Sequence, residues 1–314
     1  MITIGAINWD INIWVDNFPV VGEEVTVRQV TRVPGGKAAN TAVAAARVSH
    51  RNRVAVFGAV GTDDIGRGQV ETLAEEGIDV SHIKVVRGIE SGQAYITIDR
   101  NGSNFIETLF GANHHLLPED LVRPENLATI SDCKVIAISD PLVSTAERIS
   151  ALGTEHDATI LYDAGTKLQA GAEKLKTVLR NVSILVLNSV ESQQFAGSDD
   201  PSEVRRKLKN HDLDMGVIVK LGEKGCAYAG RDGETLRLPA LPLEKLGLKV
   251  VNTTGCGDAF LGVLSASMAQ GFSVAQSLER ATIAGGLKAS KAETRCSPDK
   301  QALDKALESW RDTS

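Results

Sequence analysis

KVIAISDPLVSTAERISALGTEHDATILYDAG (134–165) decides the fold class. Its two ends, KVIAIS (134–139) and ATILYDAG (158–165), are apolar runs of strand length without polar alternation, the pattern of strands buried on both faces. A helical stretch separates them, so the unit reads as two parallel strands joined by a crossover helix. SILVLNSV (183–190), reached through another helical stretch, and MGVIVKLG (215–222) extend the series to four buried strands of one sheet.

Toward the N-terminus, MITIGAI (1–7) and RVAVFGAVG (53–61) read as further buried strands. Ala-rich NTAVAAARVSH (40–50) reads as a helix, as does 64–77, which Gly77 closes at a C-cap position. NIWVDNF (12–18) and EEVTVRQVTRV (23–33) look instead like strands of a sheet with one wet face. SGQAYITIDRNGSNFIETLFGA (91–112) reads as a hairpin turning at Asn101-Gly102, the strongest short-range signal of that kind. Two helical segments (258–270 and 273–292) and a C-terminal helix near 298–311 finish the chain. The expectation is an α/β fold with a doubly wound, mostly parallel sheet flanked by helices. A small antiparallel, β-rich flap from about 11–34 and 88–110 is inserted beside it, within one domain spanning 1–314.

Of 314 residues, 42% are hydrophobic and 24% charged, ample for a large core. A net charge of −6 argues against a duplex nucleic-acid binder. Four dispersed cysteines (Cys133, Cys226, Cys256 and Cys296) form no CxxC pair, and the start MITIGAINWDINIWV has no basic region ahead of its apolar residues. No uncharged apolar run approaches the ~20 residues of a membrane helix. These features predict a soluble, cytoplasmic protein with no nucleic-acid or membrane partner.

Ligands of such sheets sit beyond the carboxyl ends of the strands, so loops after strands are where chemistry is sought. VVNTTGCGDAFLGVLSASMAQG (250–271) is the most informative of these. A strand-like lead-in meets the turn Gly255-Cys256-Gly257, and a helix is expected from Asp258, with Phe260, Leu261, Val263, Leu264 and Met268 at helical spacing. Free N–H groups at that helix start make an anion hole. Repulsion makes Asp258 a poor phosphate ligand but a sensible base for an attacking hydroxyl; its competing role is a plain N-cap.

In VPGGKAANTAVAAARV (33–48), Gly35-Gly36 can turn tightly while Lys37 and Asn40 offer hydrogen bonds suited to sugar hydroxyls. It lacks Walker A spacing, and a plain loop-to-helix turn is the competing reading. Asn8 and Asp10 follow the first strand, where they can hold hydroxyls or simply form a turn. Asn188 and Glu191, in LNSVE (187–191), could organise a hydrated Mg²⁺, and KLGEKG (220–225) could border a nucleotide, although each alone reads as an ordinary strand-ending turn.

The motifs in this order resemble the ribokinase family of sugar and nucleoside kinases, the PfkB-type carbohydrate kinases, over nearly the whole chain. GGKAANTAVAAA (35–46) answers the family's Gly-Gly motif, NTTGCGD (252–258) its D-T-x-G-A-G-D signature, Asn188 to Glu191 its N-x-x-E, and Leu221 to Gly225 its L-G-x-x-G. The resemblance implies a ribokinase-like fold whose β-rich flap is a lid, and a kinase using ATP, or another purine nucleotide, with Mg²⁺. It implies Asp258 as catalytic base and an anion hole of Gly255, Cys256, Gly257 and the Asp258 amide. Asn8, Asp10, Gly36, Lys37, Asn40 and Asp140 would face the sugar or nucleoside. Asn188, Lys220, Gly222, Gly225 and Thr253 would lie near the nucleotide, and Glu191 would reach the metal through water. An exposed lid sheet pairs two copies in relatives, which implies a possible homodimer.

The chain departs from the pattern in three places. Cys256 replaces an alanine, where a backbone amide does the work. Asn252 replaces the Asp of a monovalent-cation site, which puts K⁺ activation in doubt. Ser139, with Asp140 beside it, stands where ribokinases proper carry a ribose-contacting Glu. ISDP, YDAG and GANHH look closer to archaeal nucleoside kinases, whereas GGKAAN keeps the Lys of sugar kinases. Arg28, Arg32, His114, His115 and Lys167 could add positive charge around the lid and suit a phosphorylated sugar such as ribose 1-phosphate, the competing reading for each being a solvated lid charge. The reading from a different class is a non-catalytic sugar or nucleotide sensor on the same fold.

Overall fold

A computed structural model describes residues 1–49, 53–101 and 103–311. His50 of the predicted first helix and Gly102 of the predicted hairpin turn lie outside the described residues. In chain order the strands are β1 (Ile2–Gly5), β2 (Asn8–Val15), β3 (Val27–Gly35), β4 (Ala55–Gly61), β5 (Ile83–Val86), β6 (Gly92–Ile98) and β7 (Asn104–Leu109). β8 (Val135–Ser139), β9 (Thr159–Asp163), β10 (Ile184–Asn188), β11 (Gly216–Lys220), β12 (Cys226–Ala229) and β13 (Thr235–Leu238) follow. The helices are α1 (Lys37–Arg47), α2 (Asp64–Glu75), α3 (Pro124–Ser131), α4 (Val143–Glu155) and α5 (Lys176–Leu179). They continue with α6 (Ser189–Ala196), α7 (Pro201–Lys209), α8 (Cys256–Ala269), α9 (Val274–Ala289) and α10 (Lys300–Arg311).

Among the described residues the larger sheet has nine strands in the order β13-β12-β11-β10-β9-β8-β1-β4-β5. All neighbours are parallel except the β11–β12 and β12–β13 pairs. Successive side chains of each strand enter opposite layers, which is why these runs are apolar at every position. Ile136, Ile138, Ile160 and Tyr162 join a core under α4, α6 and α7, whereas Val135, Ala137, Leu161 and Val186 join one under α1, α8, α9 and α10. Each fully buried Ile or Phe there stabilises by about 1.5–3 kcal/mol. α10 shows the helical counterpart, burying Leu303, Ala306, Leu307 and Trp310 on one stripe.

From β1 the order runs outward through β4 and β5 on one side and through β8 to β13 on the other, so it reverses at the β1–β8 pair. There the two backbones close up: a Cβ on Gly5 would lie 1.6 Å from the Ser139 carbonyl oxygen. Crevices of this kind receive ligands.

The flap is, among the described residues, a four-stranded sheet, β3-β2-β6-β7. Its outer pairs are antiparallel, but its central pair, β2 with β6, is parallel, which corrects the expectation of a wholly antiparallel flap. The physical reason is that β2 and β6 leave the main sheet separately, with β3, α1, β4, α2 and β5 between them. No described helix is long and apolar enough to cross a membrane.

Candidate active site

The site forms where α1 and α8 cross. A Cβ on Gly262 of α8 would lie 2.4 Å from the Thr41 carbonyl oxygen and 2.7 Å from Ala44 Cβ, so only glycine lets the helices approach this closely. Their N-termini thereby open side by side past the carboxyl ends of the strands. α1 starts at Lys37, three residues ahead of the sequence reading, after Gly36 at φ 90°. A Cβ on Gly36 would meet Asn8 N at 2.4 Å, and one on Gly35 would meet the Asp10 carboxyl at 2.2 Å, so the Gly-Gly turn lies flat against the start of β2. Asn40 is consequently one turn into α1, buried, and its Nδ2 donates to Asp258 Oδ2 at 2.9 Å.

α8 begins at Cys256, two residues before the predicted start. Gly255, in the left-handed region at φ 83°, is its N-cap, so Asp258 is the third helical residue and not the cap. The stretch before it belongs to no strand: the amides of Val251 and Asn252 both donate to the Ala289 carbonyl at the end of α9. The Cys256 amide turns back to Thr253 O at 3.2 Å, and the first helical bond runs from Ala259 to Gly255 O. The Gly257 and Asp258 amides precede that ladder and carry the positive end of the helix.

Charges converge on this corner from three strand ends. Lys220, last in β11, donates to Asp163 Oδ2 at 2.8 Å, and its Nζ would lie 3.2 Å from a Cβ on Gly257. Lys37 Nζ is 3.9 Å from Asp163 Oδ1 and 4.0 Å from Asp140 Oδ2. Burial would push Asp163 up, but Lys220 and Lys37 outweigh it and hold the carboxyl below its ordinary range. Lys37 is held strongly protonated, chiefly by Asp163. Asp258 goes the other way: burial raises its proton affinity, and the Asn40 bond and Lys37 only partly offset this. A partly accessible carboxylate of raised basicity in the first turn of α8, within the field of the Lys37 and Lys220 ammonium groups, can take a proton from an alcohol while anionic charge is neutralised next to it.

Across the cleft Asp10 is 6% exposed; burial first, and then the Asp258 charge, raise it to about 7, against the pull of Arg295. Arg295 donates from Nε to Asn40 Oδ1 at 3.1 Å and from one terminal nitrogen to Gly35 O at 2.7 Å and Gln69 Oε1 at 3.0 Å. Burial brings its own pKa down to about 10. One guanidinium thus orients Asn40 toward Asp258, braces the Gly-Gly turn and faces Asp10.

Residues 1–301 match the model of the pfkB family carbohydrate kinases. The chain belongs to that family. A ribokinase of Haemophilus influenzae is 31% identical over 82% of each chain, and an ATP-dependent ribose-1-phosphate kinase of Halopiger xanaduensis is 25% identical over 96% of each. Among solved structures, Arabidopsis thaliana ribokinase complexed with ribose and ATP matches with a TM-score of 0.86 at 23% identity, over 98% of both chains. The protein is therefore a carbohydrate or nucleoside kinase, a phosphotransferase with an alcohol as acceptor, on a ribokinase-like fold.

In this pfkB-family kinase the other predicted residues take varied positions. Asn8 Oδ1 accepts from Asn113 Nδ2 at 2.7 Å, and Asn113 Oδ1 accepts from the Ile7 amide. Asp140, at φ 67°, pairs with Lys167. Asn188 and Glu191 form a capping box on α6, each side chain accepting from the other's amide, at 2.8 and 2.9 Å. That occupies Glu191 Oε2, while its charge still reaches Lys37. Gly225 is required where it stands, since a Cβ there would lie 2.0 Å from Leu238 O; Gly222, at φ 61°, faces open space, and Thr253 is exposed. Of the proposed lid cations, Arg28 pairs with Asp16 and His114 stacks on Phe110.

Sequence reasoning missed Asp163, Asn113 and Arg295 as site residues. Asp163 had a usable signal, a lone carboxylate ending an apolar strand. Arg295, between two helices and outside any motif, had none.

Proposed function

We propose that the kinase transfers the γ-phosphoryl group of ATP to a hydroxyl of a ribose-type sugar, with Asp258 as general base. Asp258 takes the proton as the hydroxyl oxygen bonds to phosphorus, the bond to the β-phosphate oxygen breaks, and ADP leaves. The observation that carries the reading is the placement of Asp258 in the first turn of α8, bonded to the Asn40 amide at 2.9 Å, next to the corner where Lys37 and Lys220 meet Asp163. Asn8, Asp10, Gly36, Lys37, Asn40 and Asp140 face the sugar. Gly255, Cys256 and Gly257 line the phosphate turn, and Asn188, Lys220, Gly222, Gly225 and Thr253 border the nucleotide. Glu191 keeps one carboxylate oxygen outside the capping box, enough for a water-mediated hold on Mg²⁺, which neutralises phosphate charge when bound and keeps most of its waters. Residues 1–314 act as one kinase domain. The four-stranded sheet acts as its lid, excluding water from the transfer, and its exposed Phe105, Ile106 and Leu109 favour pairing of two copies through it.

A phosphorylated ribose is the second reading, supported by the Halopiger relative, whose match spans nearly all of both chains, and by Lys37 and Lys167 flanking Asp140. A panel of ribose, ribose phosphates, nucleosides and hexose phosphates crossed with ATP, GTP and ADP tests both readings. Turnover with a pentose acceptor is expected. A hexose phosphate succeeding where every pentose fails contradicts the substrate class, and no transfer to any acceptor favours a sensor.

A further inference from the structure

Behind the phosphate turn lies an ammonium group that the mechanism above does not use. Lys288, in the last turn of α9, is fully buried, and its Nζ donates to the Asn252 carbonyl oxygen at 3.0 Å. That carbonyl opens the turn leading into α8. α9 comes close enough to hold it there, since a Cβ on Gly285 would be 3.4 Å from the Cys256 carbonyl oxygen. Fully buried lysines are rare, because removing an ammonium from water is costly unless its charge is used.

We propose that Lys288 is a built-in cation, holding the turn from Asn252 to Gly257 positive from behind, so that transfer needs no dissociable monovalent cation. The proposal rests on the kinase reading above. Its physical content is field, not contact: a fixed positive charge behind the helix N-terminus adds to the dipole and favours the anionic transferring group. As a positioning residue, Lys288 also fixes the Asn252 carbonyl and with it the entry into α8. The C-terminal turn of α9 is a favourable seat for a cation.

The residues do not fit a K⁺ site. Asn252 brings no charge, and its carboxamide is already used, Nδ2 donating to Ala292 O at 2.7 Å and Oδ1 accepting from the Thr254 amide at 2.9 Å. Its carbonyl oxygen carries the Lys288 ammonium, which would repel a second cation. Burial leaves the proton affinity of Lys288 below that of a free lysine, and the Asp258 carboxylate offsets this only in part.

The test replaces tetramethylammonium chloride by KCl at constant ionic strength, using the full chain and whichever acceptor supports turnover. Wild-type kcat should change by less than about twofold, and KCl should leave the melting temperature where tetramethylammonium leaves it. Lys288→Met should lower kcat by about tenfold or more with little change in acceptor KM, because a charge aimed at the transition state is lost. K⁺-specific activation of the wild type beyond about fivefold, a K⁺-specific rise in its melting temperature, or unchanged kcat in Lys288→Met overturns the proposal. If Lys288→Met does not fold, the two wild-type arms decide. Absence of turnover in every salt would instead count against the kinase reading, with the melting comparison still deciding the cation.

Discussion

Asp10→Asn should make the empty protein more stable at neutral pH. The Asp10 carboxyl titrates at about 7 in the folded chain against an ordinary 3.8, because it is buried, faces Asp258 and is only partly compensated by Arg295. Between those two pH values the folded state holds more protons than the unfolded state, so stability falls as pH rises through the window. Each pH unit of separation is worth about 1.4 kcal/mol, so the ionised Asp10 costs about 4 kcal/mol above pH 7 and almost nothing below pH 4. Asparagine nearly matches the carboxylate in shape and removes that cost. Urea unfolding of both proteins from pH 4 to 8 should give curves that coincide at the acid end and separate by up to about 4 kcal/mol at pH 8. The same carboxylate should bind sugar best when ionised, so wild-type acceptor KM should fall as pH rises through about 7, whereas the variant should bind poorly at every pH. A stability gap that does not vary with pH, or a variant less stable at pH 8, would mean that the folded chain does not disfavour the ionised Asp10 carboxyl.

Two further substitutions address the scaffold. Gly262→Val should push α1 from α8, since even a Cβ lies 2.4 Å from Thr41 O; a loss of about 3 kcal/mol or more is expected by thermal unfolding, with kcat falling as Asn40 and Asp258 separate. Arg295→Met should cost about 3–5 kcal/mol by leaving the Asn40, Gly35 and Gln69 acceptors unpaired, and should move the Asp10-linked pH dependence of KM upward; an unmoved profile would remove Arg295 from its electrostatic role.

The main sheet was legible because burial on both faces writes itself as unbroken apolar runs, as in β8 and β9. The Gly-Gly turn and the α8 turn were legible because close backbone approach leaves glycine as the workable residue. Helix starts were not: α1 and α8 are capped by Gly36 and Gly255 without a side-chain signal, so both begin two or three residues early. The β12–β13 hairpin was overlooked although Asp232-Gly233, with Gly233 at φ 90°, marks its turn. The parallel β2–β6 pairing could not be read, because alternation gives a strand's faces but not its direction. Arg295 and Lys288 stayed hidden for a related reason, since their partners lie in other elements and no local pattern announces them.

The measurement closest to the central claim is single-turnover phosphoryl transfer by Asp258→Asn, alongside calorimetric nucleotide binding. The asparagine can still accept the Asn40 amide and should fold and bind nucleotide, but it cannot take the proton; a loss in rate of about a thousandfold or more is predicted. Transfer within about tenfold of the wild type, with binding intact, would contradict Asp258 as the base and with it the proposed mechanism.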